Sequence, residues 1–543
     1  MRSDITRDTF HPSKHFSRVI SQQGRVTLDA DNNEQTSILL HYLRTLAMDL
    51  IGPYAAPVMR PGFGLVSEND DVFISPGRYY VNGILVQNDA RVAYGEQPYF
   101  IVPDDDPFAK AIAAKANANY WLYLDVWERL VTAIEDDSIR ESALGGPDTC
   151  SRAQVAWQVR ALDVATNAQN TKAQQRLEWL ENRKKTLEEQ LAAAATPEVE
   201  EIINAKLARV NKQSKLVKKL QQRLQNNAPF GKDDCALPLD QLLPRSDAFM
   251  AARLNPGLQI VDACITSPDS KYRGAENQLY RVEIHRGGVA GEATIKWSRE
   301  NGSVAAAWIG TTEYDLHVTN ARGFSAGAWV ELMDDATELQ GRPGTLARLS
   351  KVQGGTLTVD QDSVDQALLA WSSEARNPRI RRWDQFATED TVLEDDGSIL
   401  IVETPPGTSD DDAGWIDLED GIQIQFSEGG EYRTGDYWLI PARVATGSIE
   451  WPAAEGGLTQ QLPPRGVLHN FAPLAFAAWA NGNVTFTGCD CTFAPLSTCF
   501  KPAELPPEPE DVAPGPATRP GARERRPRVT TTKRRRTTRN PEG

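Results

Sequence analysis

The sequence predicts a mainly β, multi-domain protein (α+β overall) with an N-terminal helix, an inserted antiparallel coiled-coil hairpin and a disordered C-terminal tail. Three observations predict this class. The chain of 543 residues is longer than a single hydrophobic core usually supports. Its 13 Trp, 13 Tyr and 39 Gly suit short strands and turns better than a helical bundle. The stretch from Gln169 to Gln225 lacks glycine and repeats leucine at helical spacing.

Residues 1–60 are predicted to form an extended arm followed by an amphipathic helix. A turn is expected at His11, because a residue before proline is disfavoured in the helical region. Asp29, Asp31 or Asn32 is expected to cap the helix. The apolar residues predict one buried stripe, and they are Ile38, Leu39, Tyr42, Leu43, Leu46 and Leu50. Calcium binding by this acidic segment is disfavoured, because the central Gly and distal Glu of a calcium loop are missing.

Residues 61–165 are predicted to be the first part of a β-domain. The Asn82-Gly83 pair indicates a two-residue hairpin turn between β-prone runs that include Tyr80. A long strand is expected farther on, and it carries Asp125 and Glu128. Residues three apart on a strand point to opposite faces, so these carboxylates are not expected to share a substrate.

Residues 166–228 are predicted to be a coiled-coil hairpin inserted into the β-domain. Leucine, isoleucine and valine recur in three- and four-residue steps on both sides of Pro197. Thr196 and Pro197 are expected to begin the second helix after the reversal. A solvated spacer is the favoured interpretation, and a docking arm is the alternative.

Three further regions complete the predicted body: the second part of the β-domain (229–310), a small β-barrel-like module (311–385) and a C-terminal β-region (386–500). His285 lies in an alternating strand and is expected to be packed, and no nucleophile motif accompanies it. The basic residues Arg379, Arg381 and Arg382 are interpreted as a surface salt-bridge face, with an acidic partner or glycan as the alternative. The run Asp410 to Asp412 is interpreted as an acidic turn rather than a calcium site.

Four residues are weak candidates for a zinc site: Cys489, Cys491, Cys499 and His469. Three cysteines and one histidine form a known ligand set, although the C-x-C-x₇-C spacing is unusual for zinc. Reduced cysteines in a packed loop are the favoured interpretation, while zinc and a disulfide remain open. No cofactor and no catalytic residue is predicted.

Residues 501–543 are Pro-rich and then basic, which predicts a disordered tail suited to nucleic acid or acidic surfaces. From Arg519 onward there are ten basic and two acidic residues. The whole chain has a net charge of −16, so the residues before Arg519 carry about −24. An acidic body disfavours general nucleic-acid binding by the fold. No signal peptide or transmembrane segment is expected, so we expect synthesis in the cytoplasm, with release in a particle as an alternative destination.

Six stretches resemble an uncharacterised bacterial family associated with extracellular contractile injection systems, which are phage-tail-like particles. They are 7–35, 76–89, 123–149, 276–288, 294–304 and 431–443. The resemblance implies a non-enzymatic structural or binding component, such as a baseplate or fibre appendage. Its expected partners are baseplate, sheath or tube proteins, further copies of the chain, or a cell-surface glycan. A cargo effector and a glycan-acting enzyme are the alternatives. The expected interaction residues are Arg7, Asp8, Phe10, His11, Arg25, Asp29, Asp31, Tyr80, Asn82 and Gly83.

Overall fold

The computed structural model describes residues 2–68, 71–114, 118–164, 167–192, 197–226, 230–243, 246–255, 271–388, 391–404, 414–427, 429–452, 459–480 and 483–496. The expectations for Thr196, Asp410 to Asp412, Cys499 and the tail 501–543 lie outside these residues.

The five helices of the described residues are α1 (Asp29–Ile51), α2 (Pro107–Ala114), α3 (Asn167–Ala192), α4 (Pro197–Gln225) and α5 (Asp335–Leu339). The strands are β1 (Tyr54–Pro57), β2 (Leu65–Glu68), β3 (Asp71–Ile74), β4 (Gly77–Val81), β5 (Ile84–Asn88), β6 (Val92–Ala93), β7 (Ala118–Val131), β8 (Arg152–Asp163), β9 (Met250–Leu254), β10 (Gln278–Arg286), β11 (Thr294–Ser298), β12 (Ala305–Thr312), β13 (Asp315–Val318), β14 (Trp329–Met333), β15 (Thr345–Gln353), β16 (Thr356–Val359), β17 (Arg379–Trp383), β18 (Ile399–Leu400), β19 (Glu403–Thr404), β20 (Ile416–Asp417), β21 (Ile422–Ser427), β22 (Tyr437–Arg443), β23 (Ser448–Ile449), β24 (Asn470–Ala480), β25 (Asn483–Gly488) and β26 (Thr492–Phe493). The predicted mainly β, multi-domain class is confirmed.

The first sheet joins distant parts of the chain in the order β25-β24-β7-β8. Strand β8 pairs over its whole length with β7, and β24 pairs with the other side of β7, so that Phe471 lies opposite Asp125. One face of this sheet packs against the hairpin β4-β5 and helix α2, and the shared core includes Leu124, Phe108 and Val86. Since β24 follows the barrel in sequence, everything between β8 and β24 is an insertion at this sheet.

Helices α3 and α4 form the predicted antiparallel hairpin. Gln221 bonds to Gln174, and Lys218 pairs with Glu181. Residue numbers rise along one helix as they fall along the other, so the two helices run antiparallel. Most of the apolar residues predicted as seams are buried, Leu191 and Leu207 are partly buried, and all of them join the same core cluster as Trp121 of β7. The hairpin is therefore anchored on the second face of the first sheet rather than free of the body.

Two further bodies follow the hairpin. A five-stranded sheet, the second sheet, has the order β18-β11-β10-β22-β23, and a smaller sheet around β21 packs with it in one core. Strands β12, β13, β16, β15, β14 and β17 close into a barrel. This barrel covers the predicted module 311–385 and begins slightly earlier, at Ala305. Arg379 and Arg381 are buried in it, so the predicted surface salt-bridge face is wrong at these two positions.

The prediction of a buried stripe on α1 is wrong. Its buried residues are Ala30 and Ile38, while Leu39, Tyr42, Leu43, Leu46 and Leu50 are exposed and form its apolar face. Helix α1 touches the body on its other side. A Cβ atom on Gly83 would lie 2.3 Å from the Arg44 carbonyl oxygen, so the helix backbone packs directly on the β4-β5 turn. The Arg44 guanidinium also bonds to Glu128 at 2.8 Å.

A search of the described residues for a bilayer-spanning helix finds none with the required length and hydrophobicity.

Candidate functional site

Beyond the part that anchors the helical hairpin, the second face of the first sheet carries polar and aromatic side chains. Asp125, Trp127 and Arg129 alternate along β7 and therefore share this face. Gln158 and Arg160 extend it on β8. Gln158 donates to the Leu339 carbonyl at 3.0 Å, which attaches α5 and the barrel to the sheet. The face is thus covered by a separate body, and a cavity remains between them.

Asp125 and His469 form a close pair on this face. The His469 Nδ1 and the Asp125 carboxylate are 2.6 Å apart, and Asp125 is almost fully buried. Trp127 stacks on the imidazole with 4.8 Å between ring centroids, and Phe471 stacks at 6.2 Å. Burial lowers the pKa of His469 even though Asp125 acts in the opposite direction. The ring is therefore held neutral and fixed in orientation at neutral pH.

The second wall comes from α5 and the barrel. Arg379 is fully buried and binds three carboxylates: Asp335 at 2.9 Å, Glu135 at 3.4 Å, and Glu338. Arg129 makes a longer contact with one of these acids, because its Nη2 lies 3.5 Å from the Asp335 carboxylate. Arg379 therefore neutralises much of the negative charge of these three carboxylates.

The third wall is a buried ion network between the second sheet and the barrel. Glu283 accepts two hydrogen bonds from Arg2, at 2.7 and 3.0 Å, and one from Arg281 at 2.6 Å. Lys296 lies between Glu283, at 3.4 Å, and Glu331. Burial would raise the pKa of Glu283, but these cations outweigh it and hold the pKa well below the ordinary value. The network therefore exists as ions.

The three walls enclose a cavity of about 320 Å³. Its lining includes residues from β7, β8, β10, β11, β14, α5 and the loop before β24. Among the lining side chains, ten are arginine or lysine and six are aspartate or glutamate. A cavity of this size and composition suits a small polar ligand or ordered water.

The N-terminal arm crosses this region and continues to α1. Arg2 enters the ion network, while Arg7 pairs with Glu450 at 2.5 Å and Asp8 pairs with Arg465 at 2.5 Å. Two hydrogen bonds from Thr6 lower the pKa of the Asp29 carboxyl against the effect of its partial burial. These contacts fasten the arm and the helix to each other and to the second sheet.

The interaction residues predicted from the sequence fall into two groups. Arg7, Asp8 and Asp29 serve the intramolecular contacts just described, and Asp31 accepts from the Leu28 backbone at 3.2 Å, where it helps to begin α1. Asp29 is the first residue of α1, and its carboxylate accepts hydrogen bonds from the Thr6 backbone amide and hydroxyl, so it joins the arm to the helix.

The remaining predicted residues lie in the N-terminal arm and in the β4-β5 turn region. Phe10 contacts His41 of α1 with 5.6 Å between ring centroids, and His11 and Arg25 are exposed. In the β4-β5 hairpin, Tyr80 packs edge to face against Phe493, and Asn82 and Gly83 adopt the positive φ expected of the turn. Contacts of these residues with other proteins stay a prediction.

The weak zinc candidates do not come together. Cys489 forms a disulfide with Cys235, which replaces the reduced state favoured from the sequence. Cys491 is a free thiol, and His469 is held by Asp125. Within the described ranges no group of three or more His, Cys, Asp or Glu side chains is arranged to hold a metal ion.

Sequence reasoning missed the cavity, although a signal was present. Arg281, Glu283 and His285 occupy alternate positions of β10 and so share one face, where apolar residues are usual. Five of the six stretches that carry the resemblance contribute lining residues, and only 7–35 does not.

Comparisons with known proteins give one extensive match. A search of curated proteins finds no match. A solved structure titled "Crystal structure of TssK" is similar at 10% identity, covering 75% of this chain and 98% of that chain, with a TM-score of 0.14. A score that low carries no argument about fold or role. A family of unknown function, DUF6519, matches residues 1–541. Because this match spans nearly the whole sequence, the protein belongs to the DUF6519 family.

Proposed function

We propose that this protein is a non-enzymatic structural component of a contractile, phage-tail-like particle, placed at the baseplate or on a fibre. The apolar face of α1 is the single observation that carries the proposal. It supports a role in assembly, because a large contiguous apolar surface on a folded protein marks an interaction site. The resemblance of the six stretches to a family associated with contractile injection systems supports the setting.

The spacing of the exposed leucines on α1 indicates what kind of partner surface this helix would bind. Leu39, Leu43, Leu46 and Leu50 follow steps of four, three and four residues, which is the seam of a helix that pairs with another helix. Arg44 is held by Glu128 on the opposite side, so the seam faces away from the body. The expected partner is therefore a helix of another particle subunit, with apolar residues at matching spacing.

The fastening of the arm fits the same role. An attachment helix must transmit its position to the body, and α1 is fixed by the Gly83 contact, the Arg44 ion pair and the Thr6 hydrogen bonds. These contacts fix the orientation of α1 relative to the first sheet, although most of the apolar surface of α1 remains uncovered.

A second candidate function is hydrolysis by general-base catalysis. The observation that favours it is the buried Asp125–His469 pair beside the cavity, because a carboxylate that orients a neutral histidine is the arrangement used to remove a proton from water. No activated nucleophile is evident beside the pair among the described residues, so we rank the structural role first.

The test is the composition of native particles from the producing cell. Particles are purified by sedimentation, and quantitative mass spectrometry compares this chain with sheath and tube proteins before and after mild external proteolysis. A fixed stoichiometry with protease-accessible segments is the expected result. A variable and protected signal would identify a cargo protein instead, and absence from the particles would reject the proposal.

A further inference from the structure

We propose that the cavity between the first sheet, the second sheet and the barrel binds a small oxyanionic ligand, which carries a phosphate or carboxylate group held by Arg129, Arg381 and Arg433. This inference is independent of the proposed role in assembly, since it rests on a different part of the molecule.

The charge of the lining is the first argument. Ten cationic side chains face six carboxylates. Asp8, Asp335 and Arg379 stand directly behind the wall, and with them the ratio becomes eleven to eight. This excess lies inside a chain whose net charge is −16, so the cavity is a local exception to an acidic protein. A site with surplus buried cations favours an anion.

Two deeply buried arginines supply the second argument. Arg129 and Arg381 are 7% and 4% exposed, and the Nε of each has no hydrogen-bond acceptor among the described residues. Arg381 donates to the Gly302 carbonyl, and no carboxylate of the described chain lies within ion-pair distance of it. An arginine has five N–H donors, and leaving buried donors unsatisfied is costly. An oxyanion in the cavity would supply the missing acceptors.

The electrostatics around Arg381 agree with this geometry. Burial is the largest cause that lowers the pKa of Arg381 to about 10, and the nearby charges of Arg2 and Arg379 act in the same direction. Glu135 and Glu338 act in the opposite direction but do not compensate, because Arg379 binds both. The environment of Arg381 thus contains more positive than negative charge.

Arg433 completes the set at a more accessible position. It lies half-buried in the loop before β22, and none of the described carboxylates is within 4 Å of it. Asp125 and Asp436 are the acids that act on it most strongly. The guanidinium group binds phosphate and carboxylate through a planar fork of two N–H donors, which a lysine does not provide.

The size of the cavity limits the ligand. A volume of about 320 Å³ is at the lower end of small-molecule sites, which span roughly 300–1,000 Å³. A metabolite-sized acid fits, whereas a polymer does not. Phosphate and carboxylate share the recognition chemistry, so two probes are needed to distinguish them.

The experiment is isothermal titration calorimetry of the full chain with inorganic phosphate and, separately, with citrate. Ionic strength is held constant with sodium chloride, because exposed charges also respond to salt. Saturable binding of one probe is expected. Tighter binding of phosphate identifies a tetrahedral oxyanion, and tighter binding of citrate identifies a carboxylate.

Variants then locate the binding. Arg433→Gln is expected to weaken it at least about tenfold, in keeping with the loss of a charge-assisted hydrogen bond. Arg433→Lys should give an intermediate loss, because the charge remains without the fork. Arg322→Gln is the control, since Arg322 is exposed on the barrel away from the cavity. Absence of saturable binding by the native chain, or equal affinities of Arg433→Gln and Arg322→Gln, would overturn the proposal.

Discussion

The apolar face of α1 can be tested by the double substitution Leu43→Glu and Leu46→Glu. Both leucines belong to the exposed seam of the helix, and glutamate has a high helix propensity, so the helix itself should persist. The proposed role in assembly predicts that this variant folds normally but fails to remain in the particle.

The magnitude follows from the exposure of the seam. Leu39, Leu43, Leu46 and Leu50 are 52%, 58%, 43% and 64% exposed, which together amounts to about two fully exposed leucine side chains. At about 2 kcal/mol for burial of one leucine, a partner that covers the seam gains about 4 kcal/mol. The two substitutions remove about half of this, which corresponds to about 30-fold weaker association. Desolvation of the two carboxylates increases the loss.

The assay measures both folding and retention. Thermal unfolding of the variant should stay within about 0.5 kcal/mol of the native chain, because substitutions at exposed positions have small effects. The amount of the chain in sedimented particles, relative to sheath protein, should fall sharply. Leu144→Glu is the matched control, since Leu144 is an exposed leucine far in sequence from α1, in the short 3-10 helix Ser142–Leu144. Normal retention of the double variant would refute the assembly role of α1.

Three further predictions concern the body of the protein. Arg2→Ala should destabilise the fold by about 3 kcal/mol in urea denaturation, because a buried ion pair loses one partner, and Arg25→Ala should not. Cys235→Ser should cost about 2–5 kcal/mol in non-reducing buffer, whereas Cys150→Ser, at an exposed free thiol, should cost nothing measurable. Burial raises the pKa of Asp436 to about 7, above an unfolded value of about 4. The stability it contributes is therefore complete below about pH 4 and is lost as the pH rises through about 7, by up to about 4 kcal/mol. Asp436→Asn should remain stable at pH 8 and flatten this dependence. Equal losses in the paired controls, or an unchanged pH profile, would contradict these expectations.

Local patterns predicted the elements whose causes are local. The Asn82-Gly83 turn follows from the ease with which both residues adopt positive φ, and the structure has that turn between β4 and β5. The period of leucines likewise predicted α3 and α4. In each case the signal lies within a few residues, so one sequence is sufficient to find it.

The candidate site depends on contacts that no local pattern contains. Asp125 and His469 are 344 residues apart, and Cys235 and Cys489 are 254 apart. Asp125 and His469 meet because β7 pairs with β24, which only the complete fold specifies. The apolar stripe of α1 was visible in the sequence, but periodicity shows which face is apolar and not what covers it.

The pairing of β1 with β26 has a mechanical consequence. These strands run parallel, with Ala56 beside Thr492, and two backbone hydrogen bonds join them: Ala56 to Cys491 at 2.8 Å and Val58 to Phe493 at 3.0 Å. Tension applied at the start of β1 and the end of β26 loads these bonds in shear, all together rather than one after another. The nearby β7–β24 ladder shares this load. The barrel and the second sheet lie between β8 and β24 in sequence. They are therefore off the load path and keep their shape while β1 and β26 resist the pull.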